Sequence, residues 1–357
     1  MKKELLMASA LVASFGYAGV AEAASASYSG HVRAGVEGQD LDSSSNDTVA
    51  AKQLGKFSIS LSETTDSGIK ISTGFDLTDE SDGSTDTSGI TLTFNSGAKL
   101  DLIEAGNAAT SQLATVPGAS GEQGIGISTG NAAPTALSYG DTSDAVGFEW
   151  HSADDAFGAD GLKFGVSGSY NDDVAANTSS TSSNATTQAF SVGASYVSDA
   201  GDTTVTIGGG IYQAEGSNTT AAKDTSSTGA IAISAVTGDL TVGVGYASGD
   251  YVDTQGASGV GYDVGSASFT TAGIKYVSGD ITFAVGISSG EGIDQTMGSV
   301  ASGSADSWEK TAASVDYAVA DGVTATLGYA TETSANNGTS TTSNSGDAWY
   351  IGATVSF

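Results

Sequence analysis

The chain has 357 residues, with 41 acidic against 11 basic side chains, a formal net charge of −30, 50 glycines and no cysteine. A surface this acidic repels phosphate backbones and excludes nucleic acid as a partner. The lack of cysteine excludes disulfide staples and cysteine-based zinc sites, and no run of roughly 18 or more apolar residues follows the N-terminal segment, which excludes helical membrane spans.

At the N-terminus, Lys2 and Lys3 precede the apolar stretch from Leu5 to Val20, and Ala21, Glu22 and Ala23 then form an A-x-A pattern. That order is expected of a secretory signal peptide over 1–23, leaving 24–357 as the mature chain.

From Tyr28 onward, apolar residues recur at every second position. Phe57, Ile59 and Leu61 come first, followed by Ile69, Ile71, Phe75 and Leu77, and then Ile90, Leu92 and Phe94. The same period continues through Val146, Phe148 and Trp150, through Leu240, Val242, Val244 and Tyr246, and ends in Trp349, Ile351, Ala353, Val355 and Phe357. Period two means strand, and nothing reads as a long amphipathic helix. Between these runs, short and long connections take turns. The short ones, at 66–68, 95–97, 199–202, 237–239, 278–280 and 320–322, each contain Gly together with Asp or Asn or Ser, the residues of tight hairpins. The long ones, at 39–51, 79–87, 106–143, 171–187, 215–227, 249–264, 291–307 and 334–346, are rich in Ser, Thr, Gly, Asn and Asp.

Counting each alternating run as one strand gives sixteen, from 28–38 to 348–357; the connection 151–161 is longer than its fellow short turns. Positions out of phase with the apolar residues are Ser, Thr, Gly, Lys, Asp and Glu, so each strand has one apolar and one wet face. A soluble sandwich or adhesin array also alternates. Aromatics recurring near strand ends (Trp150, Tyr170, Tyr196, Tyr212, Tyr246, Tyr276, Trp308, Tyr317, Tyr329 and Trp349) favour interfacial girdles. The expected fold is therefore all-β, a 16-stranded antiparallel transmembrane β-barrel with short turns on one side and long loops on the other.

Two segments carry a resemblance. The last, 347–357, alternates and stops on Phe357, and the 106–143 segment follows the fifth strand with far more residues than a hairpin needs. In these features and in its whole architecture the chain resembles the general-diffusion porins of Gram-negative bacteria. The resemblance implies a water-filled channel for passive diffusion of small hydrophilic solutes and ions, set in outer-membrane lipid as a homotrimer, with no enzymatic activity and no cofactor. It also implies that Phe357 is an assembly signal read by the barrel-assembly machinery. The 106–143 segment would be the loop that folds inward and constricts the pore, carrying the acidic Glu122 and Asp141 together with Pro117 and Pro134. This segment has no Pro-Glu-Phe-Gly-Gly motif, which some subfamilies carry there.

Phase also assigns charges. Arg33, Lys56, Lys70, Lys99, Lys163, Lys275 and Lys310 all fall out of step with the apolar residues and are expected to face the lumen. Exclusion from lipid explains the inward phase, since Lys or Arg at a lipid-facing midplane costs about 2–4 kcal/mol. It does not explain why Arg33, Lys56, Lys70 and Lys99 all come from the first five strands. Together they are expected to form a basic wall facing the acidic loop, although family members usually place several arginines here and this chain has one. The acidic excess lies mainly in the loops, as at Asp40, Asp42, Asp47, Asp79, Glu80 and Asp82; it either concentrates cations and makes the channel mildly cation-selective or is simply a solvated surface.

Other chemistry is sparse. His31 and His151 are the two histidines, and neither suggests a catalytic triad or a metal site by sequence context. The acidic run 79–86 is the best calcium candidate but lacks EF-hand spacing. The run at Gly208, Gly209 and Gly210 has no following helix and so fits close packing or a bend rather than a phosphate cradle. The competing reading is a surface adhesion or structural protein, or a barrel plugged by its loops.

Overall fold

The computed structural model describes residues 24–41, 48–78, 85–87, 89–102, 107–119, 146–170, 185–217, 224–252, 264–293, 305–335 and 343–357. They form one closed antiparallel sheet. Its strands are β1 (Ser25–Leu41), β2 (Thr48–Thr64), β3 (Lys70–Thr78), β4 (Thr85–Thr87 and Ile90–Thr93), β5 (Lys99–Leu102), β6 (Val146–His151), β7 (Leu162–Tyr170) and β8 (Ala185–Ala200). The round continues with β9 (Thr203–Ser217), β10 (Asp224–Thr237), β11 (Leu240–Val252), β12 (Val264–Ser278), β13 (Ile281–Ile293), β14 (Ala305–Ala320), β15 (Val323–Ala335) and β16 (Ser343–Ser356). The two pieces of β4 both pair with β3 and occupy one place in the barrel, giving sixteen strands. Phe75 faces Thr87 while Ser72 faces Thr91, so one extra residue sits between the pieces, at a bulge where Gly89 has a φ of 56°.

Every strand pairs with its sequence neighbour, and β16 pairs with β1, so no edge is left open. The seam is completed by Phe357, whose N–H donates to the Gly30 carbonyl (3.0 Å) while Gly30 N–H donates to the Phe357 carbonyl (3.1 Å). The Phe357 ring stacks on Phe57 at 6.3 Å, and Phe57 in turn on Tyr28 at 6.1 Å. The ring lies so close over Gly30 that a Cβ there would sit 2.7 Å from it. Glycine at position 30 therefore permits the contact that closes the barrel.

The two faces follow the alternation. Leu327, Ile351, Ile287 and Val244 point outward and stay exposed, as an apolar wall against lipid requires. Aromatics bracket this wall. Tyr28, Trp150, Tyr196, Tyr276, Tyr317 and Phe357 lie toward the short-turn ends of their strands, with Tyr170, Tyr246, Tyr329 and Trp349 further up. Along β16, Trp349 and Phe357 are separated by about 27 Å at about 3.4 Å per residue. Projected at the usual tilt, that spans most of an apolar band about 25 Å tall.

Two expectations need correction. Tyr212 is no girdle residue: it is out of phase with Ile207 and Ile211, faces inward, and is buried with Ala109 and Ala214. The strands also run further into the long connections than alternation indicated, β1 to Leu41 and β9 to Ser217. Apolar alternation reports only the part of a strand flanked by lipid; above it, backbone pairing continues with polar residues on both faces. The 151–161 connection holds a 3₁₀ turn at Ala156–Gly158, with Phe157 (φ 58°) stacked on Phe164 at 5.1 Å. The signal-peptide segment lies outside the described residues.

Candidate channel and its inner wall

Residues 107–119 lie against the inner face of the barrel. Their one turn of helix, α1 (Ala108–Ser111), is capped by Asn107, whose Oδ1 accepts from Ala109 N–H at 2.9 Å. A helix end buried in a barrel needs partners for its free N–H groups, and the wall provides them. Ala108 N–H donates to Ser167 Oγ on β7 (3.2 Å), Ala109 N–H donates to Ser191 Oγ on β8 (3.3 Å), and the two hydroxyls bond each other at 2.5 Å. Beyond the helix, Gln112 Oε1 accepts from Ser195 Oγ at 2.8 Å.

The wall beneath this segment is stripped of side chains. A Cβ at Gly210 on β9 would stand 2.5 Å from Ala109 Cα, one at Gly243 on β11 2.8 Å from Pro117 Cδ, and one at Gly286 on β13 3.1 Å from Gly118 Cα. At Gly193, Gly208 and Gly273 an added Cβ would overlap the segment's backbone outright. These glycines, with Gly165 on β7, whose added Cβ would stand 3.3 Å from Ala108 Cβ, trace a path around the barrel from β7 to β13. The Gly208–Gly210 run thus splits by phase: the outer two take the segment and Gly209 faces away.

The arc that 107–119 does not cover carries charge. Arg33, Lys56, Lys70 and Lys99 all lie on the inner face of β1, β2, β3 and β5, opposite in phase to exposed Val32, Ile71 and Leu77. Register aligns two of them: Lys70 faces Thr93, Thr93 faces Lys99, and Lys99 faces His151. Carboxylates are interleaved. Lys56 Nζ is 2.5 Å from Asp76, and Lys52 Nζ is 3.3 Å from the buried Glu37. Lys163 on β7 pairs with Asp154 at 2.9 Å, and Lys310 on β14 pairs with Glu332 on β15 at 3.9 Å.

Lys52 escaped the sequence reading because 51–55 shows no clean alternation; its spacing of four from Lys56 was the available signal. Asp76, Glu37, Asp101 and Glu149 also line the inner face, and their signal in the sequence is only the out-of-phase position that they share with the lysines. Asp101, Glu149 and His151 converge on the inner wall next to Gln112. Of the 106–143 segment, Glu122 and Asp141 lie outside the described residues, as does most of the acidic run 79–86.

Comparison with known proteins bears on this architecture. The family model for Gram-negative porin matches residues 8–338. No curated sequence relative matches. Among solved structures, an anion-selective porin from Comamonas acidovorans is 12% identical, covers 94% of this chain and 100% of its own, and superposes with a TM-score of 0.62. A loop-deletion mutant of OmpT, an outer membrane protein of Vibrio cholerae, is 14% identical over 94% of this chain and 100% of its own, with a TM-score of 0.57. A mutant of the Rh. blastica porin is 14% identical over 93% and 100%, with a TM-score of 0.53. These likenesses are of fold. The family match spans nearly the whole chain, and the protein belongs to the Gram-negative porins.

Proposed function

We propose that the barrel is an open diffusion channel, narrowed on one side by the segment beginning at residue 107 and lined on the other by the mixed charges of β1–β5. As a porin-family barrel it resides in the outer membrane of a Gram-negative bacterium, and its architecture suits passive diffusion of small hydrophilic solutes. The observation that carries the finer reading is the division of the wall. A glycine path from β7 to β13 is filled by 107–119, while the opposite arc keeps long charged side chains in water. Such an arrangement sets a transverse field that orients dipolar solutes and filters ions.

Arg33, Lys56, Lys70 and Lys99 supply the positive side, and Glu122 and Asp141 on the remainder of 106–143 supply the negative. Lys56 shares its charge with Asp76 and so adds less to the field than its position alone would give. The net charge of −30 makes the channel mildly cation-selective, as acidic loops concentrate cations at the mouth. Residues 1–23 direct export, Phe357 is read by the assembly machinery, and the barrel works as a homotrimer. The test is single-channel conductance in a planar bilayer under a salt gradient. Stepwise ohmic current with a cation-selective reversal potential is expected; silence from folded protein would favour a plugged barrel, and anion preference would overturn the selectivity.

A further inference from the structure

At the foot of the inner segment, three ionisable side chains meet. Asp101 lies on β5, Glu149 and His151 lie two apart on β6, and register sets Asp101 opposite Glu149 and Lys99 opposite His151. All share the inner face. His151 Nε2 is 3.4 Å from Glu149 Oε1 and 3.5 Å from Asp101 Oδ2, and one donor atom from each residue lies within 4.8 Å of the others. A tetrahedral ion with bonds of about 2.0–2.1 Å has ligand-to-ligand edges of about 3.4 Å, so two edges of such a site already stand at the required length.

Glu149 adds an independent observation. It is 4% exposed, and its Oε1, the atom aimed at the cluster, accepts no hydrogen bond. The nearest group to it is His151 Nε2 at 3.4 Å, a cation only when the imidazole is protonated; beside a neutral imidazole, the buried oxygen calls for another cation. The surroundings orient the other two ligands as outer-shell groups do. Thr91 Oγ1 donates to Asp101 Oδ1, which leaves Oδ2 for the cluster, and the Gln112 amide lies 3.3 Å from His151 Nδ1. With Nε2 on an ion, Nδ1 carries the proton and Gln112 presents its oxygen; the Ser195 hydroxyl can serve either amide orientation, being both donor and acceptor.

We propose that Asp101, Glu149 and His151 bind a divalent transition-metal ion of the zinc type, with water from the pore completing the coordination. Calcium is disfavoured because it takes six to eight oxygen ligands, whereas this site offers one imidazole and two carboxylates. Lys99 opposes the ion, but its side chain is exposed and free to swing into water. Since Gln112 belongs to 107–119, an ion held by His151 ties that segment to β5 and β6 and stabilises the folded barrel by linkage. The site does not depend on whether the pore conducts.

The experiment is calorimetric titration of zinc chloride into chelator-stripped, detergent-folded protein, with calcium chloride as the comparison and circular dichroism to verify the barrel. One saturable zinc site per chain is expected, with no matching calcium isotherm. Glu149→Gln, which preserves shape, and His151→Gln should each weaken zinc at least about tenfold, Lys99→Gln should tighten it, and His31→Ala should leave it unchanged. Zinc binding that survives Glu149→Gln undiminished, or that calcium equals, would overturn the proposal by assigning the ion to the acidic surface.

Discussion

The inner wall from β7 to β13 and the arc from β14 round to β5 belong to one sheet and face the same lumen, yet they differ in kind. Beneath the 107–119 segment the first is mostly glycine, serine and alanine, with Lys163 and Lys275 toward the short-turn ends of their strands; the second is rich in lysine, arginine and carboxylates. What lies over each arc accounts for the contrast. Where backbone comes within contact distance of the strands, no side chain fits and only short hydroxyls are useful, to bond the N–H groups of α1. Where the wall meets water, long charged side chains cost little and can act on permeating ions.

The strongest way to break this contrast is to give the covered arc side chains. Gly208→Val and Gly273→Val place atoms where the 107–119 backbone runs. Overpacking of this kind costs about 1–3 kcal/mol, and here the segment yields before the barrel does. We expect larger and noisier single-channel conductance with the β-sheet signal intact. Gly229→Ala, whose added atom would meet only ordinary contact 3.6 Å away on the outer face, should change neither. Next in size is Ser191→Ala. It removes one acceptor of a buried helix-end N–H, and an unsatisfied buried group costs about 1–3 kcal/mol. Asn107 still serves Ala109, so the low end of that range is expected, read as a lower thermal unfolding midpoint.

At the seam, Phe357→Ala loses the stack on Phe57, a loss of about 0.5–1.5 kcal/mol from the aromatic pair, measurable as earlier thermal opening of the folded barrel. The smallest effect on stability and the clearest on permeation comes from the charged arc. Lys70→Glu should leave unfolding unchanged, and both it and Lys99→Glu should move the reversal potential toward cations. Lys56→Glu should move it less, because Asp76 already shares the field of Lys56. Raising ionic strength should shrink all three shifts, since screening acts within about 10 Å at 0.1 M salt.

Strands were the most legible feature. A β-strand in a barrel wall meets two solvents, and its period-two pattern records both; the turns record themselves through Gly and Asx. Lys52 and the upper ends of β1 and β9 were less legible because above the lipid both faces are wet and the alternation carries no signal. The 107–119 docking was half visible. A long connection after the fifth strand implied an inward loop by resemblance, but nothing local linked Ala109 with Gly210 or Pro117 with Gly273, which pair across far separations of sequence. Tyr212 shows the same limit: its phase points it inward, while a tyrosine toward a strand end equally suits an interfacial girdle, and only its packing on Ala109 and Ala214 decides.

The sequence by itself determined the barrel: its strand number, its turn side and loop side, and the face of most residues along the lipid-flanked part of each strand. All of these follow from local periodicity, and one apolar wall in lipid admits one phase. Only the tertiary structure decided what the lumen contains. Which arc a segment covers, which lysine shares its charge with which carboxylate, and that Asp101, Glu149 and His151 meet beside Gln112 depend on closure and register, which bring together residues that no local pattern connects.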